Sequence, residues 1–177
     1  MPSKRTKVIT TLAAAALALA AAIVSPPAGA QAPARTPAEW ISLGETVHGG
    51  FGSHIALGIR IGEDALKRLG AQPREVDVLV TEGKDAPCAC VTDGVLIATS
   101  ASPGQRTLTL APKSTDASFM AMVEVRHRKT GAAVTYRVPA SAIAPLAQMN
   151  PKKSPRERYD LVMGAPAAQL YSVSDSK

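Results

Sequence analysis

The sequence predicts an α+β domain in which amino-terminal helices pack on a mainly antiparallel sheet with a carboxy-terminal hairpin. Two segments with helical periodicity, 37–48 and 53–69, come first, and segments with the alternating pattern of strands follow at 75–82, 118–128 and 132–138. The chain has no internal repeat. Helices followed by neighbouring antiparallel strands are typical of the α+β class, in which a layer of helices covers one face of a sheet.

The amino-terminal 30 residues have the composition of a secretory signal peptide. Three cations and no acid precede an apolar run over 8–24, and small residues follow at 28–30. Cleavage there leaves about 147 residues, a length typical of one domain. The whole chain has formal net charge +6, and removal of the three cations leaves the remainder near +3.

These features predict a periplasmic or secreted protein that has no membrane span after signal cleavage. No later stretch is apolar and long enough to cross a bilayer. Aromatic residues make up 3% of the chain and the residual charge is small, so the sequence has no stacking platform or basic stripe for a nucleic acid. We therefore expect no nucleic-acid partner. A homodimer is expected only because twofold assembly is common in general.

A short linker over 31–36 leads into the first helix, predicted over 37–48. The segment T-P-A-E combines a capping box with a proline at the first helical position. Two glycines after His48 end the helix because glycine adopts the left-handed conformation without steric cost. His48 is therefore expected at the point where a helix gives way to a loop.

The second helix is predicted over 53–69, where apolar residues recur three and four positions apart. Gly58 and Gly62 lie one turn apart in it and permit close packing against another backbone. Residues 91–99 are mostly apolar, so their pattern fits either a buried strand or a short core helix, and we favour the helix.

A β-hairpin is the clearest local prediction. Residues 118–128 and 132–138 alternate between apolar and polar positions and are joined by Lys-Thr-Gly. A short strand is predicted at 107–110. His127 is expected on the exposed side of the hairpin.

The carboxy-terminal segment 151–177 is expected to be a partly loose extension of a domain that spans 37–150. It is polar, prolines interrupt it, and a short helix is predicted over 156–163.

The candidates for chemistry are few. They are His48, His54, His127, Cys88 and Cys90. Cys88-Ala-Cys90 lacks the spacing of a zinc ribbon and the trailing histidine of a haem attachment site, so no covalent haem is expected. Three interpretations of the two cysteines stay open, namely a redox-active bridge, thiolates that bind a metal, and buried thiols held by packing.

The segment H-G-G-F-G-S-H at 48–54 is a second candidate for a binding site. Its three glycines let the backbone approach a ligand, and amides at the start of the following helix point outward. A glycine-rich turn between helices with an incidental histidine is the simpler alternative.

Together these two segments resemble the signatures of the FmdE-like family, named after a component of formylmethanofuran dehydrogenase. H-G-G-F-G-S-H-I-A-L-G-I-R at 48–60 is similar to the family pattern H-G-H-F-G-P-Y-L-x-L-G-x-R. C-V-T-D-G at 90–94 is similar to C-x-x-D-(A/G), and 99–106 follows where the family has T-G-(C/A)-T-x-G-K. The similarity spans 38–138 and preserves the order and spacing of the segments.

The resemblance implies an α+β domain whose histidine and cysteine signatures converge on a metal site, commonly thought to hold zinc. His48, Cys90 and Asp93 correspond to family residues, whereas Gly50 replaces a second histidine and Gln105 replaces a lysine. Because zinc takes about four ligands and His48 and Cys90 supply two, His54, Cys88 or Asp93 must contribute, and His54 and Cys88 are the expected replacements. The residues expected to line or support the site are Gly49, Phe51, Gly52, Ser53, Asp93, Thr99 and Gln105.

The sequence therefore predicts an exported soluble protein that binds a metal or a small ligand between the His48 loop and the Cys90 segment. The expected cofactor is zinc or another divalent transition metal. Formylmethanofuran chemistry belongs to a molybdenum or tungsten complex, which a single exported domain is not expected to replace. We prefer binding over catalysis. The alternatives are an extracytoplasmic enzyme, using a metal or the thiols of Cys88 and Cys90, and a structural or partner-binding domain with a degenerate site.

Overall fold

A computed structural model describes residues 34–150 and 152–176. The predicted signal peptide and the first half of the linker lie outside the described residues. The helices are α1 (Pro37–His48), α2 (Ser53–Leu69), α3 (Cys90–Thr99), α4 (Ile143–Met149), α5 (Pro155–Gly164) and α6 (Ala167–Leu170). The strands are β1 (Val76–Glu82), β2 (Leu108–Leu110), β3 (Phe119–His127), β4 (Ala133–Pro139) and β5 (Ser172–Ser176). Over the described ranges, no helix has both the length and the apolar character needed to cross a membrane.

Helix α1 begins and ends where the sequence predicts. Thr36 Oγ1 accepts a hydrogen bond from the Glu39 amide at 3.3 Å, and the Thr36 amide donates to Glu39 Oε2 at 2.6 Å. These two bonds complete the capping box. Gly49 has a φ of 83° and ends the helix in the left-handed conformation. His48 is thereby fixed as the last residue of α1.

Helices α2 and α3 run parallel and pack through glycines. A Cβ atom added to Gly94 would lie 2.8 Å from Gly58 Cα, and one turn further along, a Cβ on Gly62 would lie 2.6 Å from Ala98 Cβ. The helix favoured for 91–99 is therefore confirmed. Its four-residue spacing places Gly94 and Ala98 on one face, opposite two glycines of α2 that have the same spacing.

The sheet has the order β2-β1-β3-β4-β5. β1 pairs in parallel with β2, and the remaining neighbours are antiparallel. Val76, Val78 and Val80 are buried on the inner face, while Asp77 and Leu79 are exposed on the other. Helix α2 contacts β3 and β4, and one face of the sheet and the helices enclose the core. The α+β class, the mainly antiparallel sheet and the hairpin are confirmed.

The carboxy-terminal segment differs from the partly loose extension that the sequence predicts. It contains α5, α6 and β5, and β5 pairs with β4 in the register Tyr136↔Val173. Arg60 Nη1 in α2 donates hydrogen bonds to the carbonyls of Val162 and Ala165 at 2.5 and 2.7 Å, which satisfies the carboxy-terminal end of α5. The segment is held by core packing and strand pairing, neither of which has a local sequence pattern.

The structure corrects the expectation that His127 is exposed. His127 is 8% exposed and lies opposite Val76 at the end of β3. It has the same parity as Val125, so its side chain faces the buried side of the sheet. His127 Nδ1 accepts a hydrogen bond from the Lys129 amide at 3.2 Å. His127 therefore has a structural role at the turn of the β3–β4 hairpin.

Candidate functional site

The candidate site lies where the carboxy-terminal end of α1 meets the amino-terminal end of α3. His48 Nδ1 is 2.7 Å from Asp93 Oδ2, and His48 Nε2 is 3.4 Å from Cys90 Sγ. Cys90 and Asp93 are three residues apart in α3, so they share one side of the helix. One imidazole therefore contacts both side chains of the cysteine signature, and all three residues are ones that the sequence predicts for the site.

The two cysteines form a disulfide bond, Cys88–Cys90. Cys88 lies in the loop before α3 and is exposed, whereas Cys90 is 8% exposed as the first residue of α3. Of the three interpretations left open by the sequence, the structure adopts the bridge. The exposed cysteine of the pair is Cys88, and the buried one, Cys90, lies beside His48.

The site opens to solvent on the histidine side. The side chains of His48 and Asp93 are 33% and 31% exposed. Helix α3 has no side-chain hydrogen bond at its N-cap residue, Ala89. Its first backbone hydrogen bond runs from Asp93 N to Ala89 O at 3.3 Å, so the amides of residues 90–92 precede the helical ladder. Cys90 therefore lies at an uncapped helix amino terminus.

His54 is buried on α2, one turn before Gly58, and is 4% exposed. Its Nε2 atom is buried without a hydrogen-bond partner among the described residues. Burial lowers the pKa of His54 and favours the neutral imidazole.

This burial predicts a pH dependence of stability. Unfolding returns His54 to its ordinary pKa near 6.5, so below about that pH the unfolded chain binds a proton that the folded chain does not. We expect the wild-type free energy of unfolding to fall as the pH drops from 7.5 to about 5, with His54 contributing at most about 1.4 kcal/mol per pH unit.

The variant His54→Leu should have a shallower profile than the wild type in urea unfolding measured over this pH range. Comparison of the two profiles removes the contribution of every other titrating group. Parallel profiles for the two proteins would contradict the expectation.

The glycine loop between α1 and α2 is fixed by residues that the sequence analysis missed. Gly52, the N-cap residue of α2, supplies no side-chain cap, and Asn150 Oδ1 instead accepts a hydrogen bond from Ser53 N at 3.1 Å. Arg158 donates to the carbonyl of Phe51 at 2.6 Å and also to that of Asn150. We call Asn150 and Arg158 the loop clamp. No signal in the sequence marks them, because they lie about 100 residues from the loop.

The loop clamp should contribute strongly to stability. We expect Arg158→Met to lower the free energy of unfolding by about 2 kcal/mol, because it leaves two carbonyls without a charged donor. Arg156→Met is the matched control in the same helix. Its side chain forms an exposed pair with Asp160, and its loss should change stability by less than about 1 kcal/mol. Equal losses for the two variants in urea unfolding would contradict a clamp.

Phe51 and Ser53 have structural roles beside the site. Phe51 is 4% exposed and packs against Tyr159, with 6.3 Å between the ring centroids. Ser53 is fully buried, and its hydroxyl donates to the carbonyl of Leu146 at 2.6 Å. The backbone of Gly49 turns the chain into the loop. These contacts hold the loop in place and do not point a polar side chain at His48.

Thr99 and Gln105 lie away from the other site residues. Thr99 is at the far end of α3, about 14 Å along the helix axis from Cys90. Its hydroxyl donates to the carbonyl of Val95 at 2.7 Å, and it is fully buried. Gln105 is exposed in the short 3-10 helix Pro103–Gln105, beyond the end of α3.

The bridged site does not fit the zinc ion that the family resemblance implies. Zinc requires three or four ligands, and sulfur binds it as a thiolate. Cys88 and Cys90 are bonded to each other, and Nδ1 of His48 faces Asp93. Over residues 34–150 and 152–176, no group of three or more His, Cys, Asp and Glu residues is arranged to hold a metal ion.

Comparison with known proteins identifies the family. The family model described as "FmdE, Molybdenum formylmethanofuran dehydrogenase operon" matches residues 47–177, which include both signatures and the carboxy-terminal segment. The crystal structure of a tungsten formylmethanofuran dehydrogenase FmdE-like protein from Syntrophus aciditrophicus has a similar fold. Its TM-score is 0.55 at 18% identity, with 81% of this chain and 73% of that chain covered. No curated protein matches the sequence. The chain therefore belongs to the FmdE family.

Proposed function

We propose that this FmdE-family chain is an exported protein whose site performs thiol–disulfide exchange through Cys88 and Cys90. The observation that carries the proposal is the 3.4 Å contact of Cys90 Sγ with His48 Nε2, in a histidine whose Nδ1 faces Asp93 at 2.7 Å. A disulfide bond that joins an exposed cysteine to a cysteine beside a proton donor has the groups that thiol–disulfide exchange requires. The export rests on the amino-terminal sequence.

The reaction begins at the exposed cysteine. A substrate thiolate attacks Cys88 Sγ, a new S–S bond forms, and the Cys88–Cys90 bond breaks with Cys90 as the leaving thiolate. His48 Nε2 supplies a proton to this sulfur, and Asp93 orients the ring. A second substrate thiolate attacks the substrate sulfur of the mixed disulfide and releases Cys88. Two substrate thiols are thereby oxidised to a disulfide, and the protein bridge is reduced to two thiols.

The ends of two helices stabilise the state that exists when the disulfide bond has broken and before the proton moves, in which His48 is positively charged and Cys90 is a thiolate. His48 is the last residue of α1, where carbonyl groups carry partial negative charge, and Cys90 is the first residue of α3, where amide groups carry partial positive charge. An imidazolium at the first position and a thiolate at the second are both stabilised. The leaving group of the exchange is the sulfur that receives this stabilisation.

Exchange with dithiothreitol and with glutathione disulfide tests the proposal. The oxidised mature chain should release two thiols per molecule, and its bridge should be reduced at least ten times faster than in the same chain unfolded in urea. Cys90→Ser, which leaves the exposed Cys88, should trap a stable mixed disulfide with glutathione. Two free thiols in the chain purified from an oxidising compartment, or equal rates for folded and unfolded chain, would contradict the proposal.

The same residues support a second candidate function, metal binding by the reduced chain. Reduction would free the thiolates of Cys88 and Cys90 beside His48 Nε2, which gives three ligands of types that zinc prefers, while Asp93 would orient the histidine. This candidate retains three of the four ligands expected from the sequence, and it applies only to the dithiol form.

Titration with Zn²⁺ tests this second candidate. We expect the reduced wild type to bind about one Zn²⁺ per chain and the bridged wild type to bind none. His48→Ala and Cys90→Ser should each lose the metal from the reduced chain while the circular dichroism spectrum is unchanged. Elemental analysis that shows equal zinc in the bridged and reduced forms would contradict it.

A further inference from the structure

We propose that the reduced chain also has acyl-transfer activity towards small activated acyl groups, such as simple esters and thioesters, with Cys90 as the nucleophile. The inference uses the same side chains as the proposed exchange reaction and rests on that site, but it assigns a different substrate class and bond. The disulfide bond to Cys88 would then block the Cys90 nucleophile until the exchange reaction reduces that bond.

The three side chains have the order that activates a nucleophile. Cys90 Sγ lies 3.4 Å from His48 Nε2, and the other nitrogen of that ring lies 2.7 Å from Asp93 Oδ2. A cysteine sulfur lies beside a basic side chain, and a third group holds that base in place. This arrangement is found where cysteine attacks a carbonyl carbon. Two of the three residues come from one helix and the third from another, so the arrangement is a product of the fold.

Amide donors lie at the place where negative charge would develop. Cys90 is the first residue of α3, a helix of ten residues whose N-cap side chain, Ala89, has no hydrogen-bonding group. The first helical bond begins at Asp93 N, so the amides of residues 90–92 are free of the helical ladder. Amides of this kind stabilise the oxyanion that forms when a thiolate adds to a carbonyl.

Exposure limits the size of the acyl group. Cys90 is 8% exposed, and the side chains of His48 and Asp93 beside it are about one-third exposed. A buried cysteine with an open base beside it admits a short acyl chain and leaves the alcohol or thiol portion in solvent. The structure therefore assigns small acyl esters and thioesters as the substrate class.

The reaction balances without a cofactor. The Cys90 thiolate adds to the acyl carbon, the bond from that carbon to the leaving oxygen or sulfur breaks, and the leaving group takes a proton from His48 Nε2. His48 then accepts a proton from water as the water attacks the thioester. The acid is released and the thiolate of Cys90 is restored.

Two single-cysteine variants test the inference with 4-nitrophenyl acetate. Cys88→Ser leaves Cys90 beside His48 without any reductant, and Cys90→Ser leaves the exposed Cys88 as a matched ordinary thiol. At about pH 6 an ordinary thiol is well under 1% thiolate. We expect Cys88→Ser to be acetylated at least about 100-fold faster than Cys90→Ser, with the acetyl group on Cys90 and continued turnover.

The double variant Cys88→Ser/His48→Ala should fall to the rate of Cys90→Ser. Wild type reduced with a phosphine repeats the measurement in a chain without substitutions. The inference is overturned if Cys88→Ser reacts no faster than Cys90→Ser, or if the acetyl-Cys90 thioester persists as long as one on an unfolded chain. Failure here with normal disulfide exchange leaves the proposed function standing. Acetylation of Cys90 without measurable exchange would reject the proposed function and keep this inference.

Discussion

Replacement of Gly94 by alanine is expected to destabilise the protein by about 3 kcal/mol. A Cβ atom at this position would lie 2.2 Å from the carbonyl oxygen of Ile55 and 2.8 Å from Gly58 Cα, so the backbones of α2 and α3 would have to separate. Ile55 and Ile59 are almost completely buried at this contact, and a packed core resists such a shift. The higher helix propensity of alanine, about 1 kcal/mol, offsets only part of the loss.

The matched control is Gly164→Ala at the end of α5. Gly164 is also a helical glycine, and an added Cβ atom there meets no atom within 4 Å. Urea unfolding followed by circular dichroism should show a large loss for Gly94→Ala and a change within about 1 kcal/mol for Gly164→Ala. Similar free energies of unfolding for the two variants would contradict the importance of the close approach. Because α3 carries Cys90 and Asp93, Gly94→Ala should also slow disulfide exchange under conditions where the variant is folded.

His48→Ala is expected to slow the reduction of the Cys88–Cys90 bridge by about 100-fold, the range associated with loss of a positioned acid–base group. The leaving sulfur of Cys90 would lose its adjacent proton donor. Asp93→Asn should cause a smaller loss, of about tenfold, because it leaves the ring in place with a weaker orienting partner. Since both side chains are about one-third exposed, the free energy of unfolding should change little for either variant.

Rates of reduction by dithiothreitol, measured from about pH 5 to pH 9, test the expected order, in which the wild type is fastest, Asp93→Asn is slower and His48→Ala is slowest. Asp85→Asn is the control, because it removes an exposed carboxylate from the loop that carries Cys88 without touching His48. The wild type and Asp85→Asn should be reduced at the same rate at each pH, and His48→Ala should be reduced more slowly. A wild-type profile in His48→Ala would show that the imidazole takes no part in exchange.

The secondary structure was largely predictable because it depends on neighbours along the chain. The capping box at Thr36 and the left-handed Gly49 define α1, and alternation with a Lys-Thr-Gly turn defines the β3–β4 hairpin. Residues 91–99 were ambiguous because an apolar run of this length buries equally well as helix or strand. Packing against α2 decides between helix and strand, because Gly58 in α2 allows a close backbone contact that Gly94 makes when it is in a helix.

The carboxy-terminal segment was the main difference between sequence and structure. Its polar composition predicts a partly loose extension with one short helix over 156–163. The helix is present as α5, but Tyr159, Val162 and Leu170 enter the core and β5 extends the sheet. The short polar strand forms because the edge of β4 offers unpaired backbone groups, a property of the sheet that the sequence of β5 does not carry.

The sequence by itself determined the α+β class, the family resemblance and the identity of the candidate site residues His48, Cys90 and Asp93. Tertiary structure alone decided which of these residues are in contact. The contacts of His48 with Cys90 and Asp93 join residues 42 and 45 positions apart, and Arg158 reaches Phe51 across 107 positions. Periodicity and capping report forces between near neighbours, whereas contacts at these separations exist only after the helices pack.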